Sequence, residues 1–224
     1  MKAVILCAGR GERMMPLTRD RPKCMIKIFG RPILHWNIYN LMKSGINDII
    51  VVCGYKKEVI RDYFYDIPNH IEYVEQKNLN GTGGAVSVVE EFVDDSFLVL
   101  TGDTLYLKKD LERLMEKENS LLYVNGILEK PGIGAIKFKD GKVLEITDGL
   151  ITWKRGAMNV SGYHFTRNIF DAINSIQHEE KGITHAINNL PTVFTGISIK
   201  DWYHFTVPRD IESINEDYKK IVGE

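Results

Sequence analysis

A loop rich in glycine and basic residues follows the first apolar run of the chain. From residue 9 to residue 23, here named the signature loop, it has the pattern G-x-G-x-R-x-x-P-L-T-x-x-x-P-K. Gly9 and Gly11 let backbone N–H groups approach a phosphate, because no Cβ stands in the way. Arg13 and Lys23 can neutralise phosphate charge, the arginine through its planar fork and the lysine as a point charge. An ordinary turn needs only one glycine or proline, so this loop is predicted to bind a polyphosphate.

Two other nucleotide-binding patterns do not fit the signature loop. A dinucleotide-binding loop needs a third glycine where this chain has Met14, and a P-loop ends in G-K-[ST], which is missing here. No acidic residue follows the glycines by about twenty positions at a strand end, as dinucleotide binding requires. The sequence therefore disfavours a dinucleotide-dependent oxidoreductase.

A second glycine-rich segment follows a predicted strand that ends in Gln76. The sequence Gly81-Thr82-Gly83-Gly84 then opens a predicted helix. The first N–H groups of a helix have no partner within it, so they can face an anion or the edge of a ring. The structural alternative is a glycine-rich helix cap that binds nothing.

An acidic residue, Asp103, ends the apolar run FLVLTGD. Mg²⁺ is typically held by one or two carboxylates together with phosphate oxygens of a substrate. The alternative is that Asp103 caps the helix that follows, a common role for aspartate. Because the two glycine-rich segments accompany Asp103, the metal role is favoured.

The elements around these residues alternate between strand and helix up to residue 120. Predicted strands cover 3–8, 48–54, 71–76 and 96–103, and predicted helices cover 32–45, 56–64, 83–92 and 107–118. This alternation predicts an α/β fold, a three-layer α/β/α arrangement with a mostly parallel central mixed sheet. In such sheets ligands bind beyond the carboxyl ends of the strands.

The second half of the chain is richer in short strands. Mixed or antiparallel pairing is predicted there, with helices near 168–177, near 182–190 and from Pro208 to about residue 221. No linker or repeat interrupts the chain, so residues 1–224 are predicted to form one domain. Its halves, about 1–120 for the nucleotide and 121–224 for a second substrate, are expected to meet at a cleft.

Composition excludes several classes of protein. Lysine plus arginine (29) nearly balances aspartate plus glutamate (30), so no overall basic field favours nucleic acid as a partner. The apolar run at residues 3–8 is too short for a membrane span or a signal peptide. Three cysteines without metal-type spacing are expected to be buried thiols. We therefore expect a cytoplasmic protein that does not bind a membrane.

The signature loop resembles that of the sugar-1-phosphate nucleotidylyltransferases (NDP-sugar pyrophosphorylases), and the similarity extends along most of the chain. The resemblance implies a Rossmann-like fold of the nucleotide-diphospho-sugar transferase type. It also implies that Arg13 and Lys23 act on the phosphates, that Gln76 and Gly81 read the nucleobase, and that Asp103 holds the metal. Further nucleotide contacts are implied for Leu6, Ala8, Gly9, Gly11 and Thr82.

The sugar-phosphate motif E-K-P of that family is altered in this chain. The chain does contain E-K-P at 129–131, but this copy precedes the strand that resembles the family's Y-G-x-V, so its position argues against the family's role. The same strand match makes Gly134 the implied sugar contact. The matching position after VLEI holds Asp148 and lacks the lysine. Lys154 or Arg155 is a candidate replacement, although a solvated basic loop is favoured. The strand at 158–165 resembles N-x-G-x-Y, which implies a sugar contact for Asn159.

The segment WYHFTVPRD at 202–210 departs from the family's W-x-D-x-G-T-P-E-D. His204 stands where the family has a second metal aspartate. An imidazole can ligate Mn²⁺ or Co²⁺ but is a poor ligand for Mg²⁺. The favoured alternative is that His204 is an ordinary strand residue and that Asp201 or a water completes the shell of the ion.

The resemblance implies an enzyme that converts a nucleoside triphosphate, with UTP or dTTP favoured, and a sugar 1-phosphate to an NDP-sugar and pyrophosphate with Mg²⁺. One alternative is a cytidylyltransferase for a non-sugar phosphate, because such relatives share the N-terminal signature and some lack E-K-P. Another is a non-catalytic regulatory protein that binds nucleotide sugars, suggested by His204 and the lost lysine. The sequence does not determine the oligomeric state, and a homo-oligomer is kept as one alternative.

Overall fold

The computed structural model describes residues 1–66, 71–127, 134–147, 155–212 and 214. The strands are β1 Lys2–Cys7, β2 Lys27–Ile28, β3 Arg31–Pro32, β4 Ile49–Cys53, β5 Ile71–Glu75, β6 Ser96–Thr101, β7 Thr104–Leu105, β8 Ser120–Ile127, β9 Ala135–Lys139, β10 Lys142–Thr147, β11 Arg155–Thr166, β12 Thr195–Ser198 and β13 Tyr203–His204. The helices are α1 Ile33–Lys43, α2 Lys57–Phe64, α3 Gly81–Ser87, α4 Lys108–Met115, α5 Asn168–Asn174, α6 Ile183–Asn189 and α7 Arg209–Glu212.

Four parallel strands form one half of the central sheet. Strand β1 pairs in parallel with β4 and β6, and β4 pairs in parallel with β5. Every residue of β4 is buried, as expected for a strand covered by helices on both faces. The parallel arrangement predicted from the first 120 residues is confirmed.

The other half of the sheet is mixed. The long strand β11 runs antiparallel to β6 through residues 162–166, and its earlier part pairs with β8 and β9. Strand β12 is parallel to β8, and β10 is antiparallel to β12 and to β9. The sheet order is therefore β5-β4-β1-β6-β11-β8-β12-β10-β9, and the β9–β11 pairing closes the last five strands into a ring.

Alternate residues of the central strands face two different apolar cores. On one face Val4 and Val99 pack with residues of α3, α5 and α6, and on the other Ile5 and Leu100 pack with residues of α1, α2 and α4. This places helices on both sides of the sheet, so the predicted three-layer α/β/α architecture is confirmed. The assignment of residues 1–224 to a single domain stays a prediction.

Most predicted elements agree with the structure to within a few residues, with differences at two helices. The helix predicted at 83–92 begins two residues earlier and gives way to turns after Ser87. The final helix begins at Arg209, so Pro208 precedes it, and its predicted part beyond Ile214 lies outside the described residues. No helix within the described residues is long and apolar enough to span a membrane.

Candidate active site

The signature loop folds back on itself at the end of β1. Gly11 has a φ of +64°, and a Cβ there would lie 3.0 Å from Cβ of Lys23. The Thr18 hydroxyl donates to the Gly11 carbonyl at 2.9 Å, and the Tyr55 hydroxyl contacts the carbonyls of Thr18 and Arg19 at 3.1 and 2.8 Å. These bonds place Lys23 beside the glycines, as a phosphate-binding role requires.

Lys23 forms an ion pair with Asp103 at the carboxyl end of β6. The ammonium Nζ donates to Oδ2 at 2.7 Å, and the two side chains are 12% and 27% exposed. Gly102 brings this strand end close to β1: its N–H donates to the Leu6 carbonyl at 2.9 Å, and a Cβ there would lie 2.6 Å from Cys7 Sγ. The pair therefore joins the signature loop to the edge of the sheet where ligands are expected.

The Asp103 carboxyl is held in its charged form. Burial on its own would raise its pKa, but the charges of His204 and Lys23 and the hydrogen bonds from Lys23 and Thr101 outweigh burial and lower the pKa. The carboxylate is therefore ionised at neutral pH, the form that a hard cation or a positive side chain requires.

His204 lies near Asp103 but does not line the cleft described below. Its Nδ1 is 3.0 Å from the Thr104 hydroxyl and 3.9 Å from Asp103 Oδ1. Its ring stacks on Trp202, with the ring centroids 5.3 Å apart and an angle of 18° between the planes. The imidazole thus sits behind the carboxylate, and a metal role for His204 stays a prediction.

Gln76 is buried at the end of β5 and organises the turn that leads into α3. Its amide Nε2 lies 3.2 Å from the Asn80 side-chain oxygen and 3.2 Å from the Gly81 carbonyl. Gly81 has a φ of +95°, and a Cβ there would lie 2.5 Å from the Lys181 carbonyl. Only glycine fits this position, which holds Gln76 against the start of the helix.

These elements surround a cleft of about 740 Å³. The structure brings into its lining most of the residues that the sequence predicted, namely Leu6, Ala8, Gly9, Gly11, Arg13, Lys23, Gln76, Gly81, Thr82, Asp103 and Asn159. Gly134 is not part of this lining, although its carbonyl accepts a hydrogen bond from the Asn159 N–H at 2.8 Å. Asp148 and Lys154 lie outside the described residues, and Arg155 is exposed at the start of β11.

Two further groups of lining residues were not predicted. Ser161 and Tyr163 follow Asn159 along β11, and the Asn159 amide donates to the Tyr163 hydroxyl at 2.7 Å. The second group, here named the second wall, is the segment 178–185, from which the side chains or backbone of His178, Glu180, Gly182, Ile183, Thr184 and His185 line the cleft.

Backbone hydrogen bonds fasten the second wall to the beginning of α3. The Gly83 N–H donates to the Lys181 carbonyl at 2.7 Å, and the Lys181 N–H donates to the Asn80 carbonyl at 2.8 Å. The Ile183 N–H donates to the Thr82 hydroxyl at 3.1 Å. The start of α3 and the second wall are therefore held together at this point.

The chain is similar to known nucleotidyl transferases. The family model described as nucleotidyl transferase matches residues 2–191. The bifunctional protein GlmU of Methanocaldococcus jannaschii is 36% identical over 194 residues, which cover 85% of this chain and 47% of that protein. The UTP–glucose-1-phosphate uridylyltransferase AglF of Haloferax volcanii is 30% identical over 204 residues, covering 85% of this chain and 83% of that one.

A solved structure shares the same fold. The inositol-1-phosphate CTP transferase from T. maritima superposes with a TM-score of 0.85 over 98% of this chain and 95% of the other, at 19% identity. The chain spans about half the length of the GlmU proteins it matches, 47% and 56% for two of them. From the match of the family model over most of its length, the chain belongs to the nucleotidyl transferase family, in the group of sugar-1-phosphate nucleotidyltransferases.

Proposed function

We propose that this chain transfers a nucleotidyl group from a nucleoside triphosphate to a sugar 1-phosphate and releases pyrophosphate. The observation that carries the proposal is the Lys23–Asp103 pair, 2.7 Å apart within the cleft. It stands between the glycines of the signature loop and the residues of β11, where a triphosphate and an acceptor phosphate would meet.

Nucleotidyl transfer requires that the two substrates be positioned and that the charge on their phosphates be neutralised. An oxygen of the sugar phosphate attacks the α-phosphorus in line, the bond from that phosphorus to its β-bridging oxygen breaks, and pyrophosphate leaves. The attacking phosphate is already anionic, so no general base is needed. Arg13 and Lys23 would hold the phosphates and offset the charge that develops on them.

Mg²⁺ fits the donor atoms that the cleft provides. Asp103 supplies a hard carboxylate oxygen, and phosphate oxygens of the substrate would complete the shell, as Mg²⁺ prefers. No group of three metal-ligating side chains occurs among the described residues, which suits an ion held mainly by its substrate. When bound, the ion would act as a Lewis acid on the phosphates.

The two ends of the cleft suggest how the substrates are chosen. Gln76, whose exposed fraction is 5%, lies beside Gly81. We assign these two residues to recognition of the nucleobase, and we favour UTP or dTTP as the nucleoside triphosphate. Asn159, Ser161 and Tyr163 offer amide and hydroxyl groups along β11, away from the turn that carries Gly81. Such groups suit the hydroxyls of a sugar phosphate, with Gly134 supporting Asn159 from behind.

A panel of five nucleoside triphosphates against several sugar 1-phosphates, measured by pyrophosphate release with Mg²⁺, tests the proposal. We expect turnover for at least one pair and none without the acceptor. CTP with a non-sugar phosphate as the active pair would replace the proposal by the cytidylyltransferase alternative. Binding of a nucleotide sugar without release from any pair would indicate the regulatory alternative.

The role of Asp103 is tested separately with Asp103→Asn. The amide has nearly the same shape but no charge, so we expect loss of Mg²⁺-dependent activity in a folded protein. Asparagine caps a helix as well as aspartate does. An active variant with unchanged Mg²⁺ dependence would therefore contradict the assignment.

A further inference from the structure

The hydroxyl of Tyr106 lies between the end of β6 and an irregular part of β11. It accepts from the Thr101 N–H at 3.1 Å and lies 3.2 Å from the Thr101 hydroxyl. On the other side it donates to the Ser161 carbonyl at 2.8 Å, with the Val160 carbonyl 3.3 Å away. One buried oxygen thus connects two strands that carry different parts of the cleft.

The part of β11 that Tyr106 holds departs from regular strand geometry. The register of β11 with β8 shifts between Asn159 and Tyr163, and Ser161 has a φ of +62°. A bulge of this kind leaves backbone groups without their usual partners in the strand ladder. The Tyr106 hydroxyl supplies a partner, and it comes close because Gly162 has no Cβ; one there would lie 2.9 Å from the tyrosine ring.

Tyr106 itself is fixed from a third element. Its N–H donates to the Asn37 side-chain oxygen at 3.1 Å, and its carbonyl accepts from the Asn40 amide at 2.8 Å. Both asparagines belong to α1 and are buried. The side chain is 2% exposed, so the hydroxyl has one defined position.

Both ends of this connection line the cleft. Thr101 precedes Asp103 by two residues, and its hydroxyl also hydrogen-bonds the Asp103 carboxylate. Asn159, Ser161 and Tyr163 line the cleft from the neighbouring strand β11. The signature loop, by contrast, is held by Thr18 and Tyr55 and makes none of the Tyr106 hydrogen bonds described here.

We propose that Tyr106 is a positioning residue that sets the acceptor side of the cleft, residues 159–163, relative to Asp103. The inference rests on the proposed function for the identity of the two substrates. Loss of the hydroxyl frees the bulge while it leaves the triphosphate side in place. The acceptor phosphate then lies farther from the α-phosphorus, and small misplacements of a reacting group are costly in rate.

The test is Tyr106→Phe, which removes one oxygen and keeps the ring. With the active substrate pair we expect the KM for the acceptor to rise roughly 5- to 20-fold and kcat to fall about tenfold, and we expect the KM for the triphosphate to stay within about twofold. Equal rises in both KM values, or no change in either KM or kcat, would overturn the proposal.

Two control variants separate positioning from general destabilisation. Tyr63→Phe removes a hydroxyl that contacts His35, remote from the cleft, and both KM values should stay unchanged. Ile169→Val weakens the core at a buried position in α5 that does not line the cleft, and it should lower the melting temperature with the KM values unchanged. If Ile169→Val changes the acceptor KM as much as Tyr106→Phe does, the positioning role of Tyr106 would be contradicted.

Amide hydrogen exchange decides the question without turnover and so separates this proposal from the proposed function. In Tyr106→Phe we expect faster exchange at residues 159–163 and unchanged exchange in the signature loop. Unchanged exchange at 159–163, or equally faster exchange in both segments, would overturn the role of Tyr106 even in an active enzyme. If Tyr106→Phe shows the expected exchange and the wild type releases no pyrophosphate, the proposed function alone would be refuted. Thr101→Val, which removes the neighbouring hydroxyl at the other end of the connection, should also raise the acceptor KM.

Discussion

Lys23 and Asp103 are eighty positions apart in the chain, and their side chains meet at 2.7 Å. Each was predicted separately, Lys23 from the signature loop and Asp103 from its place at a strand end. Their contact was not predicted, because it depends on the loop folding back over the edge of the sheet. The pairing also limits Lys23 to one place in the cleft before any substrate arrives.

Removal of the Lys23 ammonium tests its role on the phosphates. Lys23→Ala should lower kcat roughly 10²- to 10³-fold, because one preorganised charge is lost where charge develops. Circular dichroism should show an intact fold. The matched control is Lys27→Ala, an exposed lysine of β2 that should retain activity. Near-normal turnover in Lys23→Ala would contradict the phosphate role.

Gln76 should decide which base is accepted. In Gln76→Ala we expect the ratio of kcat/KM between the preferred and other bases to fall about tenfold or more, because a wrong base no longer leaves a buried amide unpaired. The panel of nucleoside triphosphates measures this ratio, and Asn78→Ala, an exposed neighbour, serves as control. A uniform loss with all bases would mean that Gln76 supports the Gly81 turn and does not read the base.

His204→Asp introduces the acid that the family resemblance implies at this position. Beside Asp103, a second carboxylate should tighten Mg²⁺ binding and keep or raise activity, measured by Mg²⁺ titration of pyrophosphate release. His204→Asn controls for loss of the ring without added charge. We expect wild type to work with Mg²⁺; activity with Mn²⁺ and none with Mg²⁺ would show instead that the imidazole ligates the ion.

At the scale of elements, strand ends and helix starts place the functional groups. The strands β1, β5 and β6 end at the signature loop, Gln76 and Asp103, and this could be predicted because their apolar runs stop at those points. The bulge in β11 was not predicted, although the sequence carries a sign of it: the apolar positions shift from 158 and 160 to 163 and 165, with Gly162 at the break. The burial of Asp110 in helix α4 was not predicted either, because an aspartate is expected to be exposed.

Asp110 makes stability depend on pH. Burial raises its pKa to about 6, against the lowering effect of Lys109 and Arg113, and one carboxylate oxygen has no hydrogen-bond partner among the described residues. The folded state therefore binds this proton more tightly than the unfolded state. The contribution of Asp110 to stability is present below pH about 4, falls as the pH rises to about 6 and stays lost above it.

Asp110→Asn removes this penalty at neutral pH. We expect the variant to be more stable than wild type by about 1 to 3 kcal/mol at pH 7.5 and to show little difference at pH 4, measured by urea unfolding. Asp62→Asn, an exposed aspartate in α2, should change stability little at either pH. A variant that is less stable than wild type at pH 7.5 would contradict a buried, poorly compensated carboxylate.

For the whole molecule, the sequence allowed prediction of the layers and of the cleft, because buried parallel strands and glycine-rich loops leave local patterns. The order of strands was not predictable in the same way. Strand β11 enters between β6 and β8, a choice that depends on packing across the chain. The second wall was missed for the same reason: Thr82 and Ile183 are 101 positions apart, and polar residue types there are common in any loop.

All three cysteines of the chain lie in one apolar core, and two of them, Cys7 and Cys24, also line the cleft. Cys7, Cys24 and Cys53 are 5%, 2% and 0% exposed, and burial raises the pKa of the Cys7 thiol. A thiolate is needed for attack on a disulfide reagent, so the native protein should react very slowly with one such as DTNB. The sequence expectation of buried thiols is consistent with this placement.

The rate at which these buried thiols react therefore reports how often the native structure opens. In denaturant, DTNB should release three equivalents of chromophore per chain at once, and in native buffer it should release almost none within minutes. The slow native rate, divided by the rate for the unfolded chain, then measures the free energy of the opening that exposes the sheet. Rapid reaction of Cys7 or Cys24 in the native state, with Cys53 still protected, would show that the reagent reaches these thiols from the cleft before the rest of the core opens.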